Sequence, residues 1–277
     1  MAKYRKEELR PAKYATRIVT RVWQEEPLPE NPYLAGRCRC HGYDIMELMR
    51  KRSFVDVLFL LLNGELPTPE QKDLLEALMI ALINPGPRHP ATWAAMNTAI
   101  GKTNPAHILP ISMSVLGGDH LGGGQVEAAI RFLRKEQKKD SINCAERLLS
   151  SQSPPDRGDW QIAPGFGSRY GGIDPLPQEI AAELTKMPGS GPALKWGCGF
   201  AEVIKTEGLG WLTTGVAAAV FCDLGFNPRA GSGLFQIINS PGLLAHGLEM
   251  LNKPATSMPF LDDRHYVIAE EAKKKKD

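Results

Sequence analysis

The sequence has few of the features that mark membrane, secreted or nucleic-acid-binding proteins. No run of about 18 uninterrupted apolar residues occurs, so we expect no membrane span and no membrane partner. The first residues, MAKYRKEELR, are charged and polar, which is not typical of a signal peptide. The formal net charge of the 277-residue chain is only +2, which does not indicate a nucleic-acid partner.

Cysteine and histidine are sparse, and neither has the spacing of a metal site. The five cysteines are odd in number and scattered, and Cys38 and Cys40 are too close together for a CxxC zinc knuckle. We therefore expect free thiols, a reducing compartment and a cytoplasmic location. The six histidines include no i, i+4 or HxH pair, so we expect no metal cofactor.

What the sequence does contain is a series of helix-start and helix-stop signals. Residues 1–36 are rich in charge and proline and predict either an extended arm against a partner subunit or a loose terminus. Asp44, Ser53 and Thr68 each precede an apolar helical pattern and are predicted N-caps. Asn63-Gly64 predicts a left-handed helix end. Residues 134–160 are polar and predict a helix end followed by a surface loop.

The most unusual stretch is PISMSVLGGDHLGGGQVEAAIRFL, from Pro110 to Leu133. An apolar segment breaks at a pair of glycines, presents Asp119 and His120, breaks again at three glycines and resumes as an amphipathic helix. Glycine lets the backbone turn sharply and lets other groups approach closely. The stretch indicates either a ligand site at Asp119-His120 or a helix–turn–helix corner with a capping aspartate.

The ordered series Gly42-Tyr43, Glu47-Leu48, Phe54 and LLLNGELPT (Leu60 to Thr68) resembles the N-terminal helical signature of the citrate synthase superfamily. That superfamily includes citryl-CoA lyase and the C-terminal module of ATP-citrate lyase. The resemblance implies an all-α, citrate synthase-like two-domain fold and a homodimer or higher even oligomer. It implies a large domain from 1–121 and 219–277 and a small domain from 122–218.

Two glycine-rich elements resemble the superfamily's motifs but differ at their reactive positions. In GGDHLGGGQVEAA, Leu121 occupies the position of the citrate synthase histidine, and His120 lies one residue before it. In GFGSRYGGIDPL, which resembles GFGHRVYKxxDPR, Ser168 replaces the histidine and Leu176 replaces the last arginine. Arg169 and Asp174 are retained.

Two further positions lack the charge that the resemblance implies. Counting back from Leu224-Gly225, the catalytic aspartate falls on Thr214, and in LFQIINSPGLLAHGLE a substrate-binding arginine falls on Asn239. A threonine hydroxyl does not act as a base near neutral pH without an activating partner. The superfamily's mechanism therefore does not transfer residue by residue.

These comparisons give a set of candidate site residues, with coenzyme A, as an acyl-CoA, as the implied ligand. The candidates for catalysis are Asp119, His120 and Ser168. The candidates for substrate binding are Arg88, His89, Arg169, Thr214 and Asn239. The candidates for contact with CoA are Gly122, Gly123, Gly165 and Gly167.

Three functional interpretations follow. The chain is a citryl-CoA lyase-like enzyme that cleaves or forms a C–C bond next to a CoA thioester, with an altered active site. Alternatively it is a non-catalytic regulatory or assembly subunit that keeps the fold, with or without CoA binding. The third interpretation is a purely structural helical protein.

Overall fold

The computed structural model describes residue 14 and residues 16–259, 261–262, 264–266 and 268. Within these residues the chain forms eleven α-helices and five short strands, which confirms the predicted all-α class. The strands are β1 Trp23–Leu28, β2 Asn31–Cys40, β3 Tyr43–Asp44, β4 Phe166–Gly167 and β5 Gly210–Trp211. The helices are α1 Ile45–Lys51, α2 Phe54–Asn63, α3 Pro69–Ala81, α4 Pro90–Ile100, α5 Ile108–Leu116, α6 Gly123–Glu136, α7 Ser141–Ser151, α8 Pro175–Thr185, α9 Pro192–Ile204, α10 Thr213–Asp223 and α11 Pro228–Met250.

The chain divides into two compact units, residues 1–67 and 68–277. In the first unit, β1 and β2 form an antiparallel hairpin that β3 extends, followed by α1 and α2. Asp44 and Ser53 cap these helices as predicted, and Gly64 ends α2 with a φ of 85°. The arm predicted for 1–36 is thus largely a hairpin where it is described, while residues 1–13 and 15 lie outside the described part.

In the second unit the long helix α11 packs against α4, α5 and α6, and α10 packs against α6 and α9. Pro241 lies inside α11 and removes one helical N–H. Next to this proline, the N–H of Gly242 donates to the carbonyl oxygen of Ile83 (3.0 Å), in the turn that follows α3. Helix α11 therefore fixes the turn between α3 and α4.

An aromatic cluster supports the second glycine-rich loop. Phe166 on β4 lies 4.4 Å from Trp211 on β5 and 4.7 Å from Phe200 on α9, measured between ring centroids. Phe132 and Trp196 complete the cluster. Because aromatic pairs of this kind pack tightly, the cluster holds β4 against α6, α9 and β5.

Some expectations for this unit need correction. Residues 141–151 are helix α7, not the predicted surface loop, because Asp140 caps the segment by accepting from the N–H of Asn143. The domain boundaries at 122 and 218 remain a prediction. The basic run Lys273–Lys276 lies outside the described residues. Among the described helices, none is long and apolar enough to cross a lipid bilayer.

Candidate functional site

The turn between α3 and α4 places His89 in the interior. His89 is 5% exposed and is the N-cap of α4, where its Nδ1 accepts from the N–H of Ala91 at 3.1 Å. Its Nε2 therefore carries the proton and donates to the carbonyl oxygen of Leu121, also at 3.1 Å. Burial, with the nearby Arg169 and His120 charges, lowers the pKa of His89, although the Leu121 hydrogen bond opposes this. His89 is thus a neutral imidazole that fixes the turn after α5.

The loop after β4 places Arg169 beside Asp174. Nη1 of Arg169 lies 3.7 Å from a carboxylate oxygen of Asp174, and its Nη2 is 3.4 Å from the hydroxyl of Tyr170. The guanidinium also lies over the Tyr170 ring, 5.0 Å from the centroid. Asp174 is itself the N-cap of α8. Arg169 is therefore held in place at the start of α8 by contacts longer than ideal hydrogen bonds.

Two adjoining spaces surround this arginine. An inner cavity of about 70 Å³ has side chains from both glycine-rich elements, α3, α10 and α11 in its wall. An outer groove of about 480 Å³ shares Pro85, Arg169 and Asp174 with it and adds Arg88 and Tyr170. The inner cavity is lined by Ala81, Leu82, Asn84, Pro85, His89, Leu121, Arg169, Asp174, Leu176, Thr213, Phe235 and Asn239.

The backbone is strained at both spaces. Leu121 in the wall of the inner cavity and Tyr170 in the outer groove each have a φ of 53°, a left-handed conformation that costs a side-chain-bearing residue about 1–2 kcal/mol. Strain of this kind persists only where the surroundings impose it, and it is concentrated at functional sites. His41 and Lys102 have positive φ outside these spaces, so two of the four described residues of this kind lie at the candidate site.

Of the predicted substrate-binding residues, His89, Arg169 and Asn239 line the inner cavity, and Arg88 lines the outer groove. Thr214 does not join them. It is fully buried, and its hydroxyl donates to Oε1 of Gln125 at 2.6 Å. Nε2 of Gln125 in turn donates to Oε1 of Gln161 at 2.9 Å. The threonine in the aspartate position is thus used in an interior polar network.

The predicted catalytic residues are spread over different surroundings. Asp119 and His120 are both exposed in the turn between α5 and α6, and Asp119 lines a separate open pocket with Gln125 and Gln161. The hydroxyl of Ser168 is buried and accepts from the backbone N–H of Trp160 at 3.0 Å. The structure therefore does not bring these three together with Arg169 in the inner cavity, and their catalytic roles remain predictions.

The four glycines predicted to contact CoA have a packing explanation. A Cβ added at any of Gly122, Gly123, Gly165 or Gly167 would lie under 3.0 Å from a neighbouring atom. Gly165 also has a φ of +83°, and its carbonyl oxygen accepts from the N–H of Leu212 at 3.0 Å. Tight packing of the chain is sufficient to require these glycines, and their contact with CoA stays a prediction.

Sequence reasoning missed several residues of these walls, among them Tyr170, Thr213 and Phe235. Phe235 lies one helical turn before Asn239 on α11, so the i, i+4 spacing was a usable signal. Tyr170 follows Arg169 directly. Thr213 is next to Thr214, and only the orientation of α10 decides which of the two threonines faces the cavity.

Chemically, the arrangement offers one guanidinium, one carboxylate, two side-chain amides, one imidazole and one hydroxyl around a small, mainly apolar space. A guanidinium binds a carboxylate with two parallel hydrogen bonds. In the described part of the chain, no group of three or more His, Cys, Asp or Glu side chains is arranged to hold a metal ion. The site is suited to a small anionic or carbonyl compound.

Comparisons with known proteins agree with this fold. The family "Citrate synthase, C-terminal domain" matches residues 29–152. The citryl-CoA lyase from Hydrogenobacter thermophilus is 25% identical, with 94% of this chain and 96% of that chain covered and a TM-score of 0.74. No curated protein matches the sequence.

Two more distant structures share the fold. The ATP citrate lyase from Methanothrix soehngenii, in complex with citrate and coenzyme A, is 14% identical over 93% of this chain and 44% of its own, with a TM-score of 0.68. The citrate synthase from Thermoplasma acidophilum, with carboxymethyl coenzyme A and oxaloacetate, is 21% identical over 80% and 58%, with a TM-score of 0.59. The resemblance to the citrate synthase superfamily is confirmed.

Proposed function

We propose, from this superfamily resemblance, that the chain is a citryl-CoA lyase-like protein that binds an acyl-CoA. The similarity to citryl-CoA lyase over almost the whole of both chains carries the proposal and supports a CoA-related function. The finer statement is that the chain cleaves or forms a C–C bond next to the thioester, acting as a homodimer. Arg169, at the inner cavity, would hold a carboxylate of the acyl group or of the second substrate.

Cleavage of the C–C bond needs a general base and a general acid. In cleavage, a base takes the proton of the substrate hydroxyl, that oxygen becomes a carbonyl as the adjacent C–C bond breaks, and the electron pair of the bond forms the thioester enolate. A general acid then protonates the enolate carbon. Asp119, His120 and Ser168 are the catalytic candidates from the sequence, and Asp174 is the carboxylate that lines the inner cavity.

A non-catalytic regulatory or assembly subunit is the second candidate. One observation favours it: Thr214, in the position of the superfamily's catalytic aspartate, is fully buried and its hydroxyl donates to Gln125. A hydroxyl without a basic partner cannot take the α-proton of a thioester near neutral pH. A subunit of this kind would bind the ligand without turning it over.

Binding and turnover separate the candidates. Calorimetry with CoA, acetyl-CoA and citryl-CoA measures the first, and release of free thiol or of a carbonyl product measures the second. Binding with turnover supports the enzyme, binding without turnover supports the subunit, and absence of binding refutes both. We expect His120→Ala to abolish turnover while leaving the unfolding midpoint unchanged, because His120 is exposed. Activity that survives in His120→Ala and is lost in Asp174→Asn would move the base to the inner cavity.

A further inference from the structure

The inner cavity has an unusual charge balance for a site that would hold a polyanion. Among its twelve lining residues, Arg169 is the cation and Asp174 the anion. His89 is neutral there, because its Nδ1 accepts from a backbone N–H and its Nε2 donates to a backbone carbonyl. The net charge of the wall is therefore about zero.

Arg169 nevertheless has unused hydrogen-bonding capacity. Its Nε is buried and has no hydrogen-bond partner, and its side chain is only 15% exposed. Its two terminal nitrogens make contacts of 3.7 and 3.4 Å, both longer than an ideal charge-assisted hydrogen bond. A ligand carboxylate that accepts from the terminal nitrogens would replace two long contacts by charge-assisted hydrogen bonds.

The rest of the wall offers little to a second negative charge. Leu121, Leu176 and Phe235 are apolar. Asn84, Thr213 and Asn239 are polar but carry no charge, and Asn239 already donates one amide N–H to the carbonyl oxygen of Phe235 at 2.9 Å. A second carboxylate in the cavity would lie among these groups and Asp174 without a cation of its own. An unpaired charge buried in this way is strongly unfavourable.

The size of the cavity, like its charge, favours a small ligand. A volume of about 70 Å³ is small beside the roughly 300–1,000 Å³ of pockets that hold drug-sized ligands. The inner cavity is therefore suited to a small substrate or to the small end of a larger one. The outer groove, with Arg88, continues from the cavity and leaves space for the larger part of a substrate.

We propose that the inner cavity binds a small 2-oxo monocarboxylate, of the size of glyoxylate or pyruvate, through Arg169, and discriminates against dicarboxylates. The proposal rests on the proposed function for the identity of the site, and it deepens that function by naming the class of the second substrate. The carboxylate would pair with the guanidinium, and the carbonyl would lie toward the Asn239 side of the cavity.

Calorimetry of the full chain with glyoxylate, pyruvate and oxaloacetate tests the proposal. We expect a monocarboxylate to bind at least about tenfold more tightly than oxaloacetate, and Arg169→Gln to weaken it by about tenfold or more, which is the range of a charge-assisted hydrogen bond. Arg131→Gln is the matched control, because Arg131 pairs with Glu127 on the exposed face of α6. Oxaloacetate binding as tightly as the monocarboxylates, or no binding of either, overturns the proposal.

A second variant tests specificity by gain of function. Leu176→Arg adds a cation at a half-exposed position in the wall, where the fold tolerates a long polar side chain. It should raise the affinity for oxaloacetate by about tenfold and reverse the order of preference. An unchanged order refutes the charge argument. CoA binding, measured on the same samples, reports on the proposed function separately: binding of a monocarboxylate without CoA binding rejects that function alone.

Discussion

At the residue scale, His89 connects α4 to the turn after α5 through its two ring nitrogens. Nε2 already carries a proton, so only Nδ1 can be protonated. Nδ1 accepts a hydrogen bond from the N–H of Ala91, and a proton on Nδ1 would remove that bond. Protonation therefore breaks the cap of α4. The neutral state of this buried side chain is thus required for the cap of α4.

We predict that stability falls on acidification in a way that depends on His89. Its pKa in the folded state is lowered by burial, whereas the unfolded value is about 6.5. The unfolded chain then binds more protons, so this contribution is fully present above about pH 6.5 and is lost as the pH falls toward the folded pKa. Urea unfolding at several pH values between neutral and mildly acidic measures it.

His89→Asn is the informative variant, because asparagine is a good N-cap and does not titrate. Its stability should depend less steeply on pH than that of the unmodified protein in this window. His120→Asn, at an exposed position, should leave the slope nearly unchanged. Equal slopes in the unmodified protein and in His89→Asn would show that His89 does not carry the effect.

The structure brings some of the predicted residues together for a physical reason, while their binding of substrate stays a prediction. His89, Arg169 and Asn239 were predicted to bind substrate from motif positions, and they line one cavity because those positions are set by helix packing. Ser168 and Thr214 came from the same positions, but their hydroxyls hydrogen-bond inside the protein. A short polar side chain hydrogen-bonds to whichever group lies beside it in the fold. That group can be distant in sequence, as Gln125 is from Thr214, so no sequence pattern identifies it.

At the scale of elements, the sequence predicted where helices begin more accurately than it predicted which segments are helical. Asp44, Ser53 and Thr68 are caps as expected, because the capping hydrogen bond lies within three residues of chain. Helix α7 was missed because its sequence is polar and its buried side is small, with Cys144 and Ala145. Its stability comes from packing against α9, which is distant in sequence.

The close packing of α10 against the second glycine-rich loop gives a prediction at this scale. A Cβ at Gly215 would collide with the carbonyl oxygen of Gly165, and that carbonyl also accepts from Leu212. We expect Gly215→Ala to destabilise the protein by about 2–3 kcal/mol, because backbone atoms cannot move away as a flexible side chain can. Thermal and urea unfolding measure the loss.

Gly233→Ala is the matched control for that substitution. Gly233 also lies inside a helix, α11, but nothing is within 4 Å of its added Cβ. Alanine should stabilise the helix there by up to about 1 kcal/mol through its higher helix propensity. Similar effects of the two substitutions would show that the contact between α10 and the loop is looser than the structure has it.

At the scale of the whole molecule, the exposed apolar side chains of α5 agree with the proposed homodimer. This helix contains no charged residue, and Ile111 and Val115, one turn apart, are 43% and 42% exposed. Helix α5 packs against α4 and α11, so its outer side is presented by a rigid layer of helices. Rigid apolar surface of this kind is typical of protein–protein interfaces.

We predict that replacing both Ile111 and Val115 by lysine converts a dimer into a monomer. Two like charges facing their symmetry copies across an isologous interface remain buried and unpaired, which costs several kcal/mol and weakens association by orders of magnitude. Sedimentation of the protein at micromolar concentration measures the change. Ile142→Lys on α7, at a position that is 50% exposed, should leave the dimer intact. If the unmodified protein already sediments as a monomer, the dimer is excluded. If the lysine variant stays dimeric, the interface lies elsewhere.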